Sequence, residues 1–229
     1  MSQPSWRDRL RELPVFTGEL PSFDTDAAPA DPLVLLQEWL TFAIDAGVSQ
    51  PQAMALATAD GAGAPSVRTL LLKDITDEGL WFATLSTSPK GHELAFNPRA
   101  AVVLYWREQG RQIRVSGDAE AGSRYLARSD FLRRHPNARA IAAVGTQSQP
   151  IGSDADYAAA VAAQQERIAA DPEYVPEDWV AYLLRPATVE FWQASRERDQ
   201  VRLRYRREVA PADGDDASAG GWGRDILWP

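Results

Sequence analysis

The chain has 229 residues, enough for one sizeable core, and its 45% hydrophobic and 24% charged residues are an ordinary globular balance. It has no cysteine and only two histidines, His92 and His135. That excludes disulfides, thiolate nucleophiles and cysteine-based metal sites, and it weighs against a histidine metal site or a serine-hydrolase triad, so no metal is expected and demanding chemistry would fall to a cofactor. A net charge of −8 argues against general nucleic-acid binding, no apolar run reaches the ~18 residues that span a bilayer, and no apolar leader follows Met1, so the expectation is a cytoplasmic protein without nucleic-acid or membrane partners.

Residues 1–31 are polar and proline-bearing, with a short helical turn over 6–13, and read as an N-terminal arm; 32–229 read as a single domain. From Pro32 the period is helical: Leu33, Leu36, Trp39, Leu40 and Ile44 recur at three and four residues, with Asp31 as N-cap, Pro32 at the first position and Gly47 as the stop. The period then shortens. Strands are predicted at Ala53–Ala59, 67–75, 80–84, 100–107 and 112–121, with Asp60-Gly61, 77–79 and Gly110 at the turns. Helices are predicted at 88–96, 123–134, 138–144 and Asp154–Ala170, the last with Tyr157, Val161 and Ile168 on one face. Strands resume at 180–184, 188–192 and 201–205. Residues 210–221 have the composition of a flexible loop, and no internal repeat is visible. Strands at this spacing, joined by hairpin turns, predict a closed antiparallel sheet.

Three features could carry chemistry. Ser88-Pro89-Lys90 opens a short helix, where a good N-cap, free backbone N–H groups and a lysine together favour an anion. In residues 66–73, Arg68 and Lys73 bracket an apolar strand; strict alternation puts residues five apart on opposite faces, so both reach one pocket only across a bend, a bulge or a subunit boundary. Between Arg196 and Arg207 there are six arginines in twelve residues. Arg198, Gln200, Arg202, Arg204 and Arg206 share one parity, opposite Val201, Leu203 and Tyr205. That pattern is a strand with a core face and a cationic face, and it points to an anionic ligand near Arg198 and Arg202. Trp192 just upstream could cover a flat ring, and Gln112 and Gln147-Ser148 could hydrogen-bond a heterocycle.

Taken in order, Asp31-Pro32-Leu33, Arg68-Thr69-Leu70-Leu71-Leu72-Lys73, Ser88-Pro89-Lys90, Asn97-Pro98-Arg99, Arg111-Gln112, Gln147-Ser148 and Val189-Glu190-Phe191-Trp192-Gln193 resemble the pyridoxamine 5′-phosphate oxidase family from Pro32 to Pro229. The resemblance implies a mainly β chain with α (α+β): an FMN-binding split β-barrel, a Greek-key antiparallel sheet with flanking helices. It further implies a homodimer with FMN at the subunit interface. By family position Arg68, Lys90 and Ser88 hold the FMN phosphate. Thr69, Leu70, Leu71, Leu72, Lys73, Ala83, Thr84, Gln112, Gln147, Ser148, Trp192 and Arg202 complete the flavin site. Lys73, Arg134, Arg198 and Gln200 face the substrate, with Arg198 and Gln200 at the reacting end. The implied reaction takes a hydride from the amine- or alcohol-bearing carbon of a phosphorylated B6 compound, and dioxygen reoxidises the flavin to give hydrogen peroxide.

Departures from the family pattern fall mostly on the substrate side. The usual Arg-Leu-His-Asp-Arg stands here as Arg198-Asp199-Gln200-Val201-Arg202, and glutamine cannot titrate near neutral pH as histidine does. The family's phosphate-binding tyrosine, arginine and serine fall at Asp130, Arg134 and Ala138, and an aspartate there repels a phosphate. Pro89 replaces a basic residue and Ile226 an arginine. Alternatives to the B6-phosphate oxidase are therefore an oxidase of another anionic or heteroaromatic small molecule, as in the phenazine-biosynthesis branch, a non-catalytic flavin or B6-phosphate binder, and a barrel without cofactor.

Overall fold

The computed structural model describes residues 4–16, 18–197, 199–208 and 221–229. Its alternating apolar segments form one nine-stranded antiparallel sheet. A short helix α1 (Trp6–Arg11), capped by Ser5, buries no side chain. Helix α2 (Pro32–Asp45) starts where expected, because the Asp31 carboxylate accepts from Leu33 N–H at 2.8 Å and proline occupies the first turn. Its buried face is Leu33, Leu36, Trp39 and Ala43; Ile44, predicted on that face, points to solvent.

The strands are β1 (Ala53–Ala59), β2 (Pro65–Leu71), β3 (Asp74–Thr76), β4 (Gly79–Leu85), β5 (Arg99–Trp106), β6 (Arg111–Ala121), β7 (Trp179–Gln193), β8 (Val201–Arg207) and β9 (Trp222–Ile226). They run in the order β2-β1-β5-β6-β7-β4-β3, with β8 on β7 and β9 on β8. Helix α3 (Pro89–Phe96) joins β4 to β5, and α4 (Arg124–Arg133), α5 (Pro136–Ala143) and α6 (Asp154–Ala170) lie between β6 and β7. The predicted strand 67–75 is in fact two. After Leu71 the chain leaves β1, with Leu72 N–H donating to Gln52 O and Lys73 N–H to Trp81 O. Arg68 therefore stands on β2 and Lys73 in the link between β2 and β3, and their parity no longer forbids a common pocket.

The segments 180–184 and 188–192, predicted as two strands, are one. Strand β7 has fifteen residues and changes partner midway: its first half pairs with β4, its second with β8. At the change Gly117 faces Pro186 and Ser116 faces Thr188, which leaves Ala187 as a bulge. A Cβ on Gly117 would stand 1.8 Å from the Arg185 carbonyl oxygen, so only glycine permits this approach. The partner exchange and the bulge curl the sheet into a split β-barrel around Leu56, Phe82, Leu104, Ile113, Phe191 and Tyr205, all fully buried.

Residues ahead of α2 are fastened to this body. Phe23 meets Trp39 edge-on at 4.9 Å, and Tyr205 Oη donates to Pro29 O at 2.7 Å. Helix α6 departs from its predicted face, since Ile168 alone is buried on it. Among the described residues no helix is long and apolar enough to cross a membrane.

Candidate functional site

Two groups of polar side chains emerge on the sheet. The first gathers at the start of α3. The Ser88 hydroxyl caps the helix by accepting from Gly91 N–H at 3.2 Å while donating to Leu85 O at 2.7 Å. Lys90, only 5% exposed, turns back from the first turn and donates to Gln147 Oε1 at 2.8 Å, Thr84 Oγ1 at 3.2 Å and Ser88 Oγ at 3.3 Å. Burial, and then the charge of Arg68, lower its pKa to about 8 against a smaller upward pull from Glu93.

Arg68 reaches the same place from β2. Its guanidinium donates to Thr58 Oγ1 at 2.6 Å, to Leu56 O at 3.2 Å and to Ser66 Oγ, and it pairs with Glu93 Oε2 at 3.1 Å. Burial alone would raise the Glu93 carboxyl. Hydrogen bonds from Thr58, Ser66 and Arg68 outweigh it and hold the group below the usual carboxylate range. Thr58, Ser66 and Glu93 are site residues that sequence reasoning missed. The first two were within reach, because the Asp60-Gly61 turn sets Thr58 opposite Ser66 across the β1–β2 hairpin.

Beside this cluster opens a cavity of about 480 Å³, lined by Thr69, Leu70 and Leu71, by Ala83 and Thr84, and by Gln147 and Ser148. Leu72, from the same predicted set, is instead buried in the core. Ser148 sits in the left-handed region with φ 69°, in the turn closed by Gln149 N–H to Thr146 O. A second cavity of about 520 Å³ shares the wall formed by Lys73, Ala83 and Arg134 and continues past Trp81, Phe82 and Leu126. Lys73 Nζ lies 3.5 Å from Asp130 Oδ1, and Trp179 Nε1 donates to Asp130 Oδ2 at 3.0 Å. The Arg134 guanidinium stacks on the Trp179 ring at 4.5 Å. Burial lowers the Arg134 pKa, partly offset by Asp130.

The second polar group lies elsewhere. Gln112, Trp192 and Arg202 stand directly opposite one another across β6, β7 and β8, a single row on one sheet face. Trp192 Nε1 donates to Gln200 Oε1 at 2.8 Å, and Phe16 packs against the Trp192 ring at 6.1 Å. Arg198 lies outside the described residues, as do 209–220, most of the predicted flexible loop. Within one chain the two groups do not meet. Thr84 pairs with Val180 and Gln112 with Trp192, twelve residues further along β7, or about 40 Å of strand at 3.3 Å per residue.

The arginine stripe has acidic partners within the sheet. Its core face is as predicted, with Leu203 and Tyr205 buried, and its cationic face is paired with acids on the neighbouring strands. Arg202 pairs with Glu190 at 2.8 Å, and Arg204 and Arg206 share Asp225 at 3.0 and 2.9 Å. Acids on β7 and β9 meet part of that charge: two carboxylates serve three arginines, and Glu190 also lies 3.6 Å from Arg114. Their pairing depends on strand order, which local sequence does not display.

A family model described as "Pyridoxamine 5′-phosphate oxidase" matches residues 40–193, and one described as "Pyridoxine 5′-phosphate oxidase C-terminal dimerisation region" matches 179–229. A pyridoxine/pyridoxamine 5′-phosphate oxidase of Deinococcus deserti is 40% identical over 93% of this chain and 94% of its own. One from a Nocardioides species is 37% identical over 90% and 91%. Among solved structures, PhzG from Burkholderia lata 383, in complex with tetrahydrophenazine-1-carboxylic acid, superposes with a TM-score of 0.82 at 34% identity over 93% of this chain and 100% of that one. A pyridoxamine 5′-phosphate oxidase-related, FMN-binding protein of Nostoc punctiforme shares the fold at 20% identity, TM-score 0.67, over 88% and 100%. With matching models over residues 40–229 and relatives of this identity, the chain belongs to the pyridoxamine 5′-phosphate oxidase family of oxidoreductases, on a flavin-binding split barrel.

Proposed function

We propose that the chain is an FMN-dependent oxidase working as a homodimer, with each of two sites built from both subunits. The observation that carries this is the division of the polar groups. One chain offers an anion-binding end at Arg68, Ser88 and Lys90, and a ring-facing row at Gln112, Trp192 and Arg202, separated by most of the length of β7. A second copy in antiparallel register would bring one chain's row to the other's anion end, and the matching dimerisation-region model supports the dimer on which this rests.

The residues present fit FMN. Lys90 and Arg68 put two cations beside one carboxylate, Glu93, at the N-terminus of α3, which leaves a positive surplus where a phosphate would sit. The adjoining cavity is lined by Thr69, Leu70 and Leu71 and by Gln147 and Ser148, whose polar side chains suit a heterocycle. Bound FMN supplies a hydride acceptor that dioxygen returns to the oxidised state, with hydrogen peroxide as the second product. The protein's share is orientation. Gln200 spends its carbonyl on Trp192 and keeps its amide N–H groups for a substrate acceptor, so it positions without moving a proton. The family resemblance assigns the substrate ring to Arg198 as well.

The relatives' names point to an amine or alcohol of the B6 5′-phosphate class. The Lys73–Asp130 pair favours a second reading, a ring substrate with less negative charge. Purified protein should be yellow and release FMN on denaturation. Under anaerobic conditions pyridoxamine 5′-phosphate, or another ring amine, should bleach the flavin, and air should restore it with stoichiometric peroxide. Colourless protein that refuses added FMN overturns the proposal; bound flavin that no candidate reduces overturns the catalytic part alone.

A further inference from the structure

We propose that Asp130 sets the charge of the substrate, so that the 520 Å³ cavity accepts a flat ring bearing one negative charge, a carboxylate, in preference to a phosphate dianion. The inference rests on the oxidase reading above, which assigns the neighbouring 480 Å³ cavity to the cofactor. Two cavities with a common wall at Lys73, Ala83 and Arg134 suit two ring systems held side by side. The one beyond that wall has an apolar lining from Trp81, Phe82 and Leu126, with charge gathered at its edge.

That charge is fixed by one side chain. Trp179 is 5% exposed and cannot swing; its indole N–H holds the Asp130 carboxylate, and its ring face carries the Arg134 guanidinium. Asp130 in turn lies against Lys73. Lys73 and Arg134 contribute two positive charges and Asp130 one negative, leaving +1. Asp74 and Arg133, both exposed at the same edge, cancel. A phosphate monoester at neutral pH brings a charge of about −1.5 to −2 and three acceptor oxygens. It would meet one uncompensated cation and a carboxylate that cannot withdraw. A carboxylate matches the surplus, and its two oxygens suit the Lys73 ammonium and the planar guanidinium of Arg134.

The test uses the purified protein with benzoate and phenyl phosphate, a matched pair that differs in charge, and reads both dissociation constants by calorimetry at pH 7.5. The wild type should bind benzoate at least as tightly as phenyl phosphate. In Asp130→Asn, which keeps an acceptor for the Trp179 N–H, the ratio should swing at least tenfold toward phenyl phosphate. A wild type that prefers phenyl phosphate, a ratio that does not move in the variant, or failure of the wild type to bind benzoate overturns the assignment. FMN content is measured on the same samples. Absent FMN counts against the oxidase reading, and the ratio is then read in a Lys90→Met background, where the phosphate end at Arg68 and Lys90 no longer competes for phenyl phosphate; bound FMN with an unmoved ratio counts against Asp130 alone.

Discussion

Replacing Lys90 by methionine keeps the aliphatic stem and removes the buried charge, and its consequences can be worked from the structure. Three acceptors at 2.8–3.3 Å hold the ammonium in place and take its three N–H groups, so an arriving phosphate exchanges for one of them. A charge-assisted bond is worth about 1.5–3 kcal/mol, so Lys90→Met should weaken FMN binding about 10- to 150-fold. The pH dependence is more specific. With a pKa of about 8, Lys90 of the flavin-free protein is mostly charged at pH 7 and about one-tenth charged at pH 9. Wild-type affinity should fall about tenfold across that range, and the variant's should stay flat. Stability moves the other way. The folded-state pKa lies below the unfolded value, so the burden of the buried charge is present below pH 8 and fades toward pH 10.5. The Tm of flavin-free Lys90→Met minus that of wild type should therefore be largest near pH 7 and shrink by pH 10. Flavin-free protein is titrated into FMN and the quenching of flavin fluorescence is followed from pH 7 to 9. Equal affinities, or the same pH slope in both proteins, would refute the assignment of Lys90 to the phosphate.

Glu93→Gln should destabilise the fold by about 1–3 kcal/mol at pH 7, by loosening the bonds to Thr58, Ser66 and Arg68. Because the folded-state pKa is held below the usual carboxylate value, the difference should vanish as acid protonates Glu93 in the wild type, as urea melts from pH 7 to 3 would show. Gly117→Ala forces a Cβ to 1.8 Å from the Arg185 carbonyl oxygen and should cost about 3 kcal/mol or more, read by thermal unfolding. Arg204→Gln should leave FMN affinity within about twofold of wild type, since its partner is Asp225 and such part-exposed pairs contribute about 0–1 kcal/mol. A large loss of flavin in that variant would restore the cationic stripe as a ligand site.

Much of the fold was legible where the signal is local. Asp31-Pro32 fixed the start of α2, and the alternation in 201–205 the buried side of β8. The misses share a cause. Strand 67–75 breaks at Leu72–Lys73 because the chain there changes partner from β1 to β4, and the two halves of β7 merge because β6 runs beside both. Neither partner can be read from the segment itself. The same holds at the site. Arg68 and Lys90 announce themselves by residue type, but Glu190 and Asp225 look like ordinary surface acids until strand order sets them beside the arginines. Asp130 was visible as a departure from the family pattern; its grip by Trp179 was not, because 49 residues separate them.

The division of one flavin site between two subunits is tested most directly by mixing complementary variants. One carries Arg68→Ala with Lys90→Met, and the other carries Trp192→Ala with Arg202→Ala. Each homodimer has lost one half of every site and should bind FMN poorly. In the mixed dimer one of the two sites draws its anion end from the second variant and its ring-facing row from the first, both intact. Co-refolding the pair and isolating the mixed dimer by two affinity tags should recover close to one FMN per dimer, with wild-type affinity at that site. A mixed dimer as empty as its parents would contradict the shared site, and with it the proposed arrangement of the enzyme.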